Sequence, residues 1–336
     1  MVEHPLDVGR VTGSNPVSCT KNYDSNFLCS DSKQTSLLAY RIRKAFPYES
    51  THEWKRCTEA VSFEKRTRGP VLRINHIHMK NTQIIILAGG KGKRMESDEP
   101  KALSILRGKS FLERIFNTLE LIDLPIDPVI VVGHKKERIL EVFGDKRIYA
   151  HQKEQLGTGH AVLSAKEKVH PDHKIVFVIS GDQPLISKET IEDIIKVHNK
   201  EHSIITMGTV ILPDFNEWRG GAYYLGRIIR DSKGEVVKIT EYKDATEEER
   251  KILEINPAIY AFDAKWLWEN INNLKNLNSQ GEYYLTDLIK IAQEQNHKIN
   301  AVPVSNLMEI FQPNSKAELA LLEEILEKEE IQKNLA

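Results

Sequence analysis

Gln83-Ile84-Ile85-Ile86-Leu87-Ala88-Gly89-Gly90-Lys91-Gly92-Lys93-Arg94-Met95, followed shortly by Pro100-Lys101, is the stretch on which the fold turns. After Gln83, its first half is an unbroken apolar run, as expected of a parallel strand covered on both faces. Its second half is a glycine-rich turn. Without Cβ atoms, successive backbone N–H groups there can close on phosphate oxygens. Arg94 and Lys101 add positive charge suited to a polyphosphate. Two commoner phosphate motifs do not fit. The P-loop needs a glycine five positions before Gly108-Lys109-Ser110, and Leu103 stands there. The dinucleotide fingerprint needs a third glycine where Met95 sits.

Working outward, the pattern repeats. Residues 110–121 read as a helix. Val129–Val132 is a second buried strand, stopped by Gly133, and residues 135–143 read as a helix ending near Gly144. Residues 158–169 read as another helix, with Thr158 a plausible N-cap. Residues 175–179 form a third apolar strand that runs into Ser180-Gly181-Asp182, and a helix starts at Ser187. This β-α-β-α alternation predicts a three-layer α/β domain with a mainly parallel sheet. After about residue 203 the rhythm changes. Strands are predicted over 204–210, 235–241 and 255–262, and helices over 265–272 and 286–295. Residues 315–333 read as an amphipathic helix. No Pro/Ser linker and no internal repeat interrupts the run.

Composition narrows the function classes. Across 336 residues, Lys+Arg 47 against Asp+Glu 48 leaves a net charge of -1, no footprint for nucleic acid or an anionic membrane. No apolar run approaches the ~18 residues of a membrane span. All three cysteines (Cys19, Cys29, Cys57) precede Met79, so residues 79–336 suit a reducing cytoplasmic setting. Residues 1–78 hold 12 Lys/Arg against 8 Asp/Glu and show no regular period. Gly13-Ser14-Asn15-Pro16 is what the genetic code gives for the T-arm of many transfer RNA genes. We therefore expect residues 1–78 to be a mis-called start or a disordered extension, with Met79 as the working start; intact mass of the native protein tests this.

Four further motifs follow in order: Gln152-Lys153-Glu154-Gln155-Leu156-Gly157-Thr158-Gly159-His160-Ala161, Gly181-Asp182-Gln183-Pro184-Leu185-Ile186, Glu241-Tyr242-Lys243-Asp244-Ala245 and Gly281-Glu282-Tyr283-Tyr284-Leu285-Thr286-Asp287. The glycine-rich segment resembles the signature of the sugar-phosphate nucleotidyltransferases. Together with the four motifs, it is similar to the uridyltransferase domain of the bifunctional N-acetylglucosamine-1-phosphate uridyltransferase/glucosamine-1-phosphate acetyltransferase family, from about Met79 onward. The resemblance implies a three-layer Rossmann-like nucleotidyltransferase fold, α/β, with a mainly parallel mixed sheet and a small strand-rich sugar-binding lobe. It divides the chain into a nucleotide-binding part (79–202), a sugar-binding part (203–313) and a C-terminal helix (314–336). The family's acetyltransferase domain has no room in this sequence.

The resemblance also implies roles. Arg94, Lys101 and Asp182 carry catalysis. Leu87, Ala88, Gly89, Gly90, Gln152, Gly157, Thr158, Ser180 and Gly181 hold the nucleotide, and Gly226, Glu241, Asn256, Tyr284 and Thr286 hold the amino sugar. Asp182 and Asn314 bind Mg²⁺, which favours oxygen ligands and often takes few from protein. The blander readings are helix caps for Asp182, Thr158 and Asn314, and a solvated strand-end acid for Glu241. Lys135-Lys136 and residues 247–251 read as solvated helix faces. Trp266 and Trp268, two apart, cannot share a helix face. His134 and His160 lack metal-ligand spacing.

The reaction implied is transfer of a uridylyl group from UTP to N-acetylglucosamine 1-phosphate, with pyrophosphate released. An anionic phosphate nucleophile needs no protein nucleophile, so positioning and charge neutralisation suffice. Departures bear on the sugar: Gly89 and Lys93 replace a usual Ala and Thr, Ser180 a usual Tyr, and Pro257-Ala258 a usual Thr-Gly. Rival readings are a transferase acting on glucose 1-phosphate, a molybdenum-cofactor nucleotidyltransferase, for which Gly281–Asp287 has no purpose, and an inactive nucleotide-sugar sensor. Monomer and homodimer both remain open.

Overall fold

Alternating apolar side chains build both cores. In a computed structural model, which describes residues 79–90 and 99–335, the central strand β1 (Thr82–Ala88) sends Ile84, Ile86 and Ala88 to one face and Ile85 to the other. β6 (Ile175–Ser180) divides the same way, Ile175, Phe177 and Ile179 against Val176 and Val178. A strand buried on both faces needs helices on both. One face is covered by α1 (Phe111–Glu120), α2 (Lys136–Phe143) and α4 (Lys188–Glu201). The other is covered by α3 (Thr158–Ser164), α6 (Ala264–Asn270) and α7 (Asp287–Glu294). The three-layer expectation holds.

β4 (Val129–Val132), β5 (Ile148–His151), β1 and β6 are mutually parallel. β11 (Tyr260–Asp263) then enters antiparallel between β6 and β7 (Ile205–Ile211). β12 (Ile299–Pro303) pairs parallel with β7. Beyond β7 lie β10 (Glu254–Ile255), β8 (Arg227–Arg230) and β9 (Val236–Thr240), all antiparallel. A two-stranded ribbon, β2 (Ile105–Leu106) with β3 (Lys109–Ser110), stands apart. Because β1, β4, β5 and β6 are parallel, they all leave the sheet at one edge. Open α/β sheets place ligands at that edge.

Several local expectations are corrected. The strand expected over 255–262 is two strands, broken at Asn256–Ile259, where Ala258 takes a left-handed φ of 62°. Residues 158–169 are α-helical only to Ser164 and continue as a 3-10 turn over Lys166–Lys168. The short or half-polar strands β2, β3, β5, β8 and β12 carry no clear signal in the sequence, because their burial comes from the sheet and not from their own composition. Residues 247–251 are not a mere solvated face. α5 (Glu247–Arg250) opens with a capping box between Thr246 and Glu249, Glu249 pairs with Lys238 at 2.8 Å, and Arg250 lies 4.7 Å over the Tyr242 ring. Trp266 is buried and donates to Gln295 Oε1 at 2.7 Å, whereas Trp268, half-buried against the same core, donates to His173 Nε2 at 2.8 Å.

α8 (Lys316–Leu335) packs Leu322 fully into a third small core with Leu106, Phe111 and Phe311. Among the described residues no helix is long and apolar enough to cross a membrane. The expectation for residues 1–78 lies outside the described residues, as do Lys91, Gly92, Lys93, Arg94 and Met95.

Candidate active site

The parallel strands deliver their C-terminal residues to one edge, and the candidate nucleotide side assembles there. Gly181 N–H donates to Leu87 O at 2.9 Å, and an added Cβ on Gly181 would lie 3.0 Å from that carbonyl. Gly89 faces Gln152, whose Oε1 would be 3.1 Å from a Cβ at Gly89. The buried Gln152 amide donates to Gly157 O at 3.0 Å, with His160 Nδ1 at 3.2 Å. His160 thus orients Gln152, as a polar supporting residue. Gly90 is exposed, with open space where a side chain would go.

Gly157 is the N-cap of α3, so Thr158 is not the cap expected of it. Its hydroxyl instead accepts the Leu285 N–H at 3.0 Å. Gly157 has φ +107°, and an added Cβ would lie 2.7 Å from Tyr283 O and 2.9 Å from Glu282 Cβ. Gly157→Ala therefore combines backbone strain with overpacking. It is expected to destabilise by about 2–4 kcal/mol, lowering Tm by roughly 5–10 °C. Differential scanning calorimetry checks this, and an unchanged Tm would show that the 281–287 segment does not bear on Gly157.

Three sequence-distant residues meet beside this edge. Lys101 Nζ donates to Asn314 Oδ1 at 2.8 Å and, in a very short contact, to Asp182 Oδ2. Asp182 follows β6, Lys101 opens a 3-10 turn after Pro100, and Asn314 precedes α8. Burial pushes the Asp182 carboxyl up, but the Lys101 ammonium outweighs it and holds the group below its usual range. The Ser180 hydroxyl contributes in the same direction without reaching hydrogen-bonding geometry at Oδ1. Asn314 is not the helix cap: Ser315 Oγ accepts the Glu318 N–H at 3.2 Å, and Glu318 accepts the Asn314 N–H at 2.7 Å. Asn314 Oδ1 is thereby left facing Lys101. Stacking of Trp218 on Phe311, 5.9 Å between centroids at 16°, anchors the loop that carries Asn314.

This cluster fits a magnesium ion by its donor chemistry. Asp182 Oδ1 is buried and makes no hydrogen bond among the described residues. An amide oxygen and a carboxylate are hard donors, and Mg²⁺ commonly takes one or two protein oxygens beside phosphates and water.

The candidate sugar side is a cross-strand row. Register pairs Arg227 with Thr240 on β9 and with Ile255 on β10. One step along, Glu241, Gly226 and Asn256 lie side by side. Asn256 N–H donates to Gly226 O at 2.9 Å, and a Cβ on Gly226 would sit 3.4 Å from the Glu241 carboxylate. Thr286 Oγ1 donates to Glu241 Oε1 at 3.2 Å. Asn256 Oδ1 accepts the Ala258 N–H at 3.0 Å and the Tyr260 hydroxyl at 2.8 Å. These two donors occupy the amide oxygen and so fix the orientation of the side chain. Burial, then the Glu241 charge, pushes the Tyr260 phenol up, so it stays a donor. Glu241 itself is raised, chiefly by burial and then by Asp287, Asp244 and Glu282, against the Thr286 bond. Tyr284 is buried, and its hydroxyl accepts from Gln280 at 2.8 Å and faces Asp244 at 3.3 Å. Burial pushes that phenol up to about 12.

Segment 281–287 joins the two sides. Tyr283 N–H donates to Leu156 O and Gly159 N–H to Tyr283 O, both at 2.8 Å, while Thr286 reaches Glu241. The structure also adds residues that sequence reasoning passed over. Fully buried Gln183 accepts the Ser180 N–H at 2.9 Å and donates to Pro257 O at 2.6 Å, tying the Asp182 loop to the Asn256 loop. Gln312 donates to the same carbonyl at 3.1 Å. Gly133 has Gly89 O and Gln155 Nε2 where a Cβ would go, at 2.7 and 2.8 Å. Gln183 and Gln155 stand inside the quoted motifs; a sequence shows their amides but not the partners of those amides.

A glycine-rich turn, an edge carboxylate and a mixed sheet define a class, and comparison agrees: residues 84–277 match the model of the MobA-like NTP transferase domain, and the chain belongs to that family of nucleotidyltransferases. Among curated proteins it is 44% identical over 243 residues to the bifunctional protein GlmU of Clostridium novyi (strain NT), covering 72% of this chain and 51% of that protein. It is 41% identical over 243 residues to bifunctional protein GlmU of Acetivibrio thermocellus, with the same coverages, 72% and 51%. The chain thus spans about half the length of these relatives. Solved structures share the fold, among them the inositol-1-phosphate CTP transferase from T. maritima (TM-score 0.54, 15% identity, 74% of this chain and 96% of that one) and 4-diphosphocytidyl-2C-methyl-D-erythritol synthase from Anaerococcus prevotii (TM-score 0.51, 16% identity, 74% and 99%).

Proposed function

We propose that this protein transfers a uridylyl group from UTP to N-acetylglucosamine 1-phosphate, giving UDP-N-acetylglucosamine and pyrophosphate. The observation that carries the reading is segment 281–287, which holds the N-terminal turn of α3, at Leu156 to Gly159, with its backbone and Glu241 with Thr286. A nucleotide loop and a sugar row joined by one segment suit an enzyme that couples the two. A molybdenum-cofactor substrate gives that segment no task.

A phosphate oxygen of the sugar 1-phosphate attacks the α-phosphorus of UTP. The new P–O bond forms as the bond to the bridging oxygen breaks, and pyrophosphate leaves with that electron pair. The nucleophile is already anionic, so no protein base is required. The turn amides at Gly89 and Gly90, with Arg94, would bind the leaving pyrophosphate. Gln152, Gly157 and Thr158 would read the base, and Leu87, Ala88, Ser180 and Gly181 would line its approach. Lys101 would exchange its carboxylate partner for the reacting phosphate. Glu241 would accept from sugar hydroxyls, and Asn256 would offer its NH₂ to an acyl or ring oxygen, with Thr286 and Tyr284 holding that wall. Mg²⁺, held by Asp182 and Asn314, would neutralise charge on the reacting phosphates. A reducing cytoplasm suits the cysteine-free residues 79–336.

The test is pyrophosphate release by the full chain, with UTP, dTTP or CTP against N-acetylglucosamine 1-phosphate or glucose 1-phosphate. Turnover is expected with UTP and the acetylated amino sugar, and is expected to stop on chelation of divalent cations. Preference for another pair would overturn the substrate, and activity indifferent to chelation would overturn the metal.

A further inference from the structure

Arg227 is a fully buried guanidinium with no carboxylate partner among the described residues. Taking an unpaired charge out of water is costly, so what satisfies it is informative. Its Nη2 donates to Tyr223 O at 2.8 Å and to Arg250 O at 3.1 Å, and its Nη1 to Leu225 O in a very short contact. The cation lies 4.8 Å from the Phe215 ring centre and 5.4 Å from that of Tyr223. Every acceptor is a backbone carbonyl. Leu225 directly precedes Gly226. Arg250 in turn donates to Tyr242 O at 3.3 Å, and Tyr242 directly follows Glu241.

The strand period explains the placement. On β8, Arg227 is one residue from Gly226, so the two face opposite sides of the sheet. One side presents the row Glu241–Gly226–Asn256; the other buries the guanidinium behind it. A planar fork can hold several carbonyls in fixed directions, which a lysine ammonium cannot.

We propose that Arg227 is a positioning residue for the acceptor side: with Arg250 it clamps the backbone on either side of Gly226 and Glu241 and so sets acceptor selectivity. This rests on the sugar 1-phosphate reading above. Arg227 touches no substrate itself.

The test uses the full chain. Arg227→Lys is expected to raise KM for N-acetylglucosamine 1-phosphate at least tenfold, to leave KM for UTP within twofold, and to narrow the preference over glucose 1-phosphate. Arg250→Lys, at a partly exposed position, is expected to shift the same KM in the same direction by a smaller factor, and it keeps the test open should Arg227→Lys fail to fold. Arg227→Lys with both KM values unchanged, or rising together, would overturn the proposal, as would an unchanged sugar KM in Arg250→Lys if the first variant is insoluble. A wild-type protein inactive on every sugar 1-phosphate would instead overturn the underlying function, and this inference with it.

Discussion

Asp182→Ala is expected to lower the turnover number for pyrophosphate release by about 10³-fold, because preorganised charge at a reacting centre carries effects of that size. Asp182 is the only carboxylate in the Lys101–Asp182–Asn314 cluster, and its Oδ1 has no other task among the described residues. The fold should survive, since the side chain lies beyond the end of β6 and outside both main cores. Stability should still fall modestly. Lys101, with a side chain 11% exposed, would keep only the Asn314 amide oxygen as partner among the described residues. Asp182→Asn preserves shape and removes charge, so it should lose activity nearly as fully. The folded carboxyl sits below its usual range. Its stabilising contribution is therefore present above the unfolded carboxylate pKa near ~4 and is lost as pH falls through the folded value. The Tm gap between wild type and Asp182→Asn should close on acidification through that window. Retention of more than a tenth of wild-type turnover by Asp182→Ala would refute the assignment.

Glu241→Gln is expected to move function and stability in opposite directions. Losing the charged acceptor proposed for sugar hydroxyls should reduce kcat/KM for the sugar 1-phosphate by about 10²-fold, in line with about 1.5–3 kcal/mol for such a bond. Turnover of the UTP half should show itself in an unchanged KM for UTP. Stability near neutral pH should rise, because burial and the neighbouring Asp287, Asp244 and Glu282 disfavour the charged form. A carboxyl raised above its unfolded value costs stability once pH exceeds the unfolded pKa near ~4, and costs nothing below it. The advantage of glutamine should thus appear above that pH and vanish below it. One kcal/mol would correspond to about 2–4 °C in a domain of this size. A Tm that drops at pH 7 would show that Glu241 is a structural acid rather than a binding one.

Ala258 records a related compromise. It adopts φ 62°, which L side chains rarely take, where the resembled family usually carries glycine. Its N–H fixes the amide of Asn256 at 3.0 Å. The strained turn is retained beside the residue it orients, as happens where backbone strain serves a site.

Much of the molecule is legible in the amino-acid sequence. Uninterrupted apolar runs at 84–87, 129–132 and 175–179 declare strands covered on both faces, because a half-exposed strand would alternate. Glycines between strand and helix announce the turn at 89–90. The strand end at Ser180 marks Asp182 as a candidate, and the resemblance carried by the ordered motifs implies Glu241 and Thr286. Other features depend on partners remote in sequence. Neither Lys101 nor Asn314, 213 positions apart, carries a local sign that their side chains meet. Thr158 looks like a helix cap from its neighbours, yet its hydroxyl serves Leu285, 127 residues away. Glu241, Gly226 and Asn256 become one row only because β10 inserts beside β8, and β11 separates β6 from β7. Local pattern determines which segments are strands or helices and which turns can close on phosphate, since those follow from side-chain period and backbone freedom. Which distant carboxylate, amide and ammonium share a site is decided by strand order and register, where the free energy lies in burial between segments and in no segment alone.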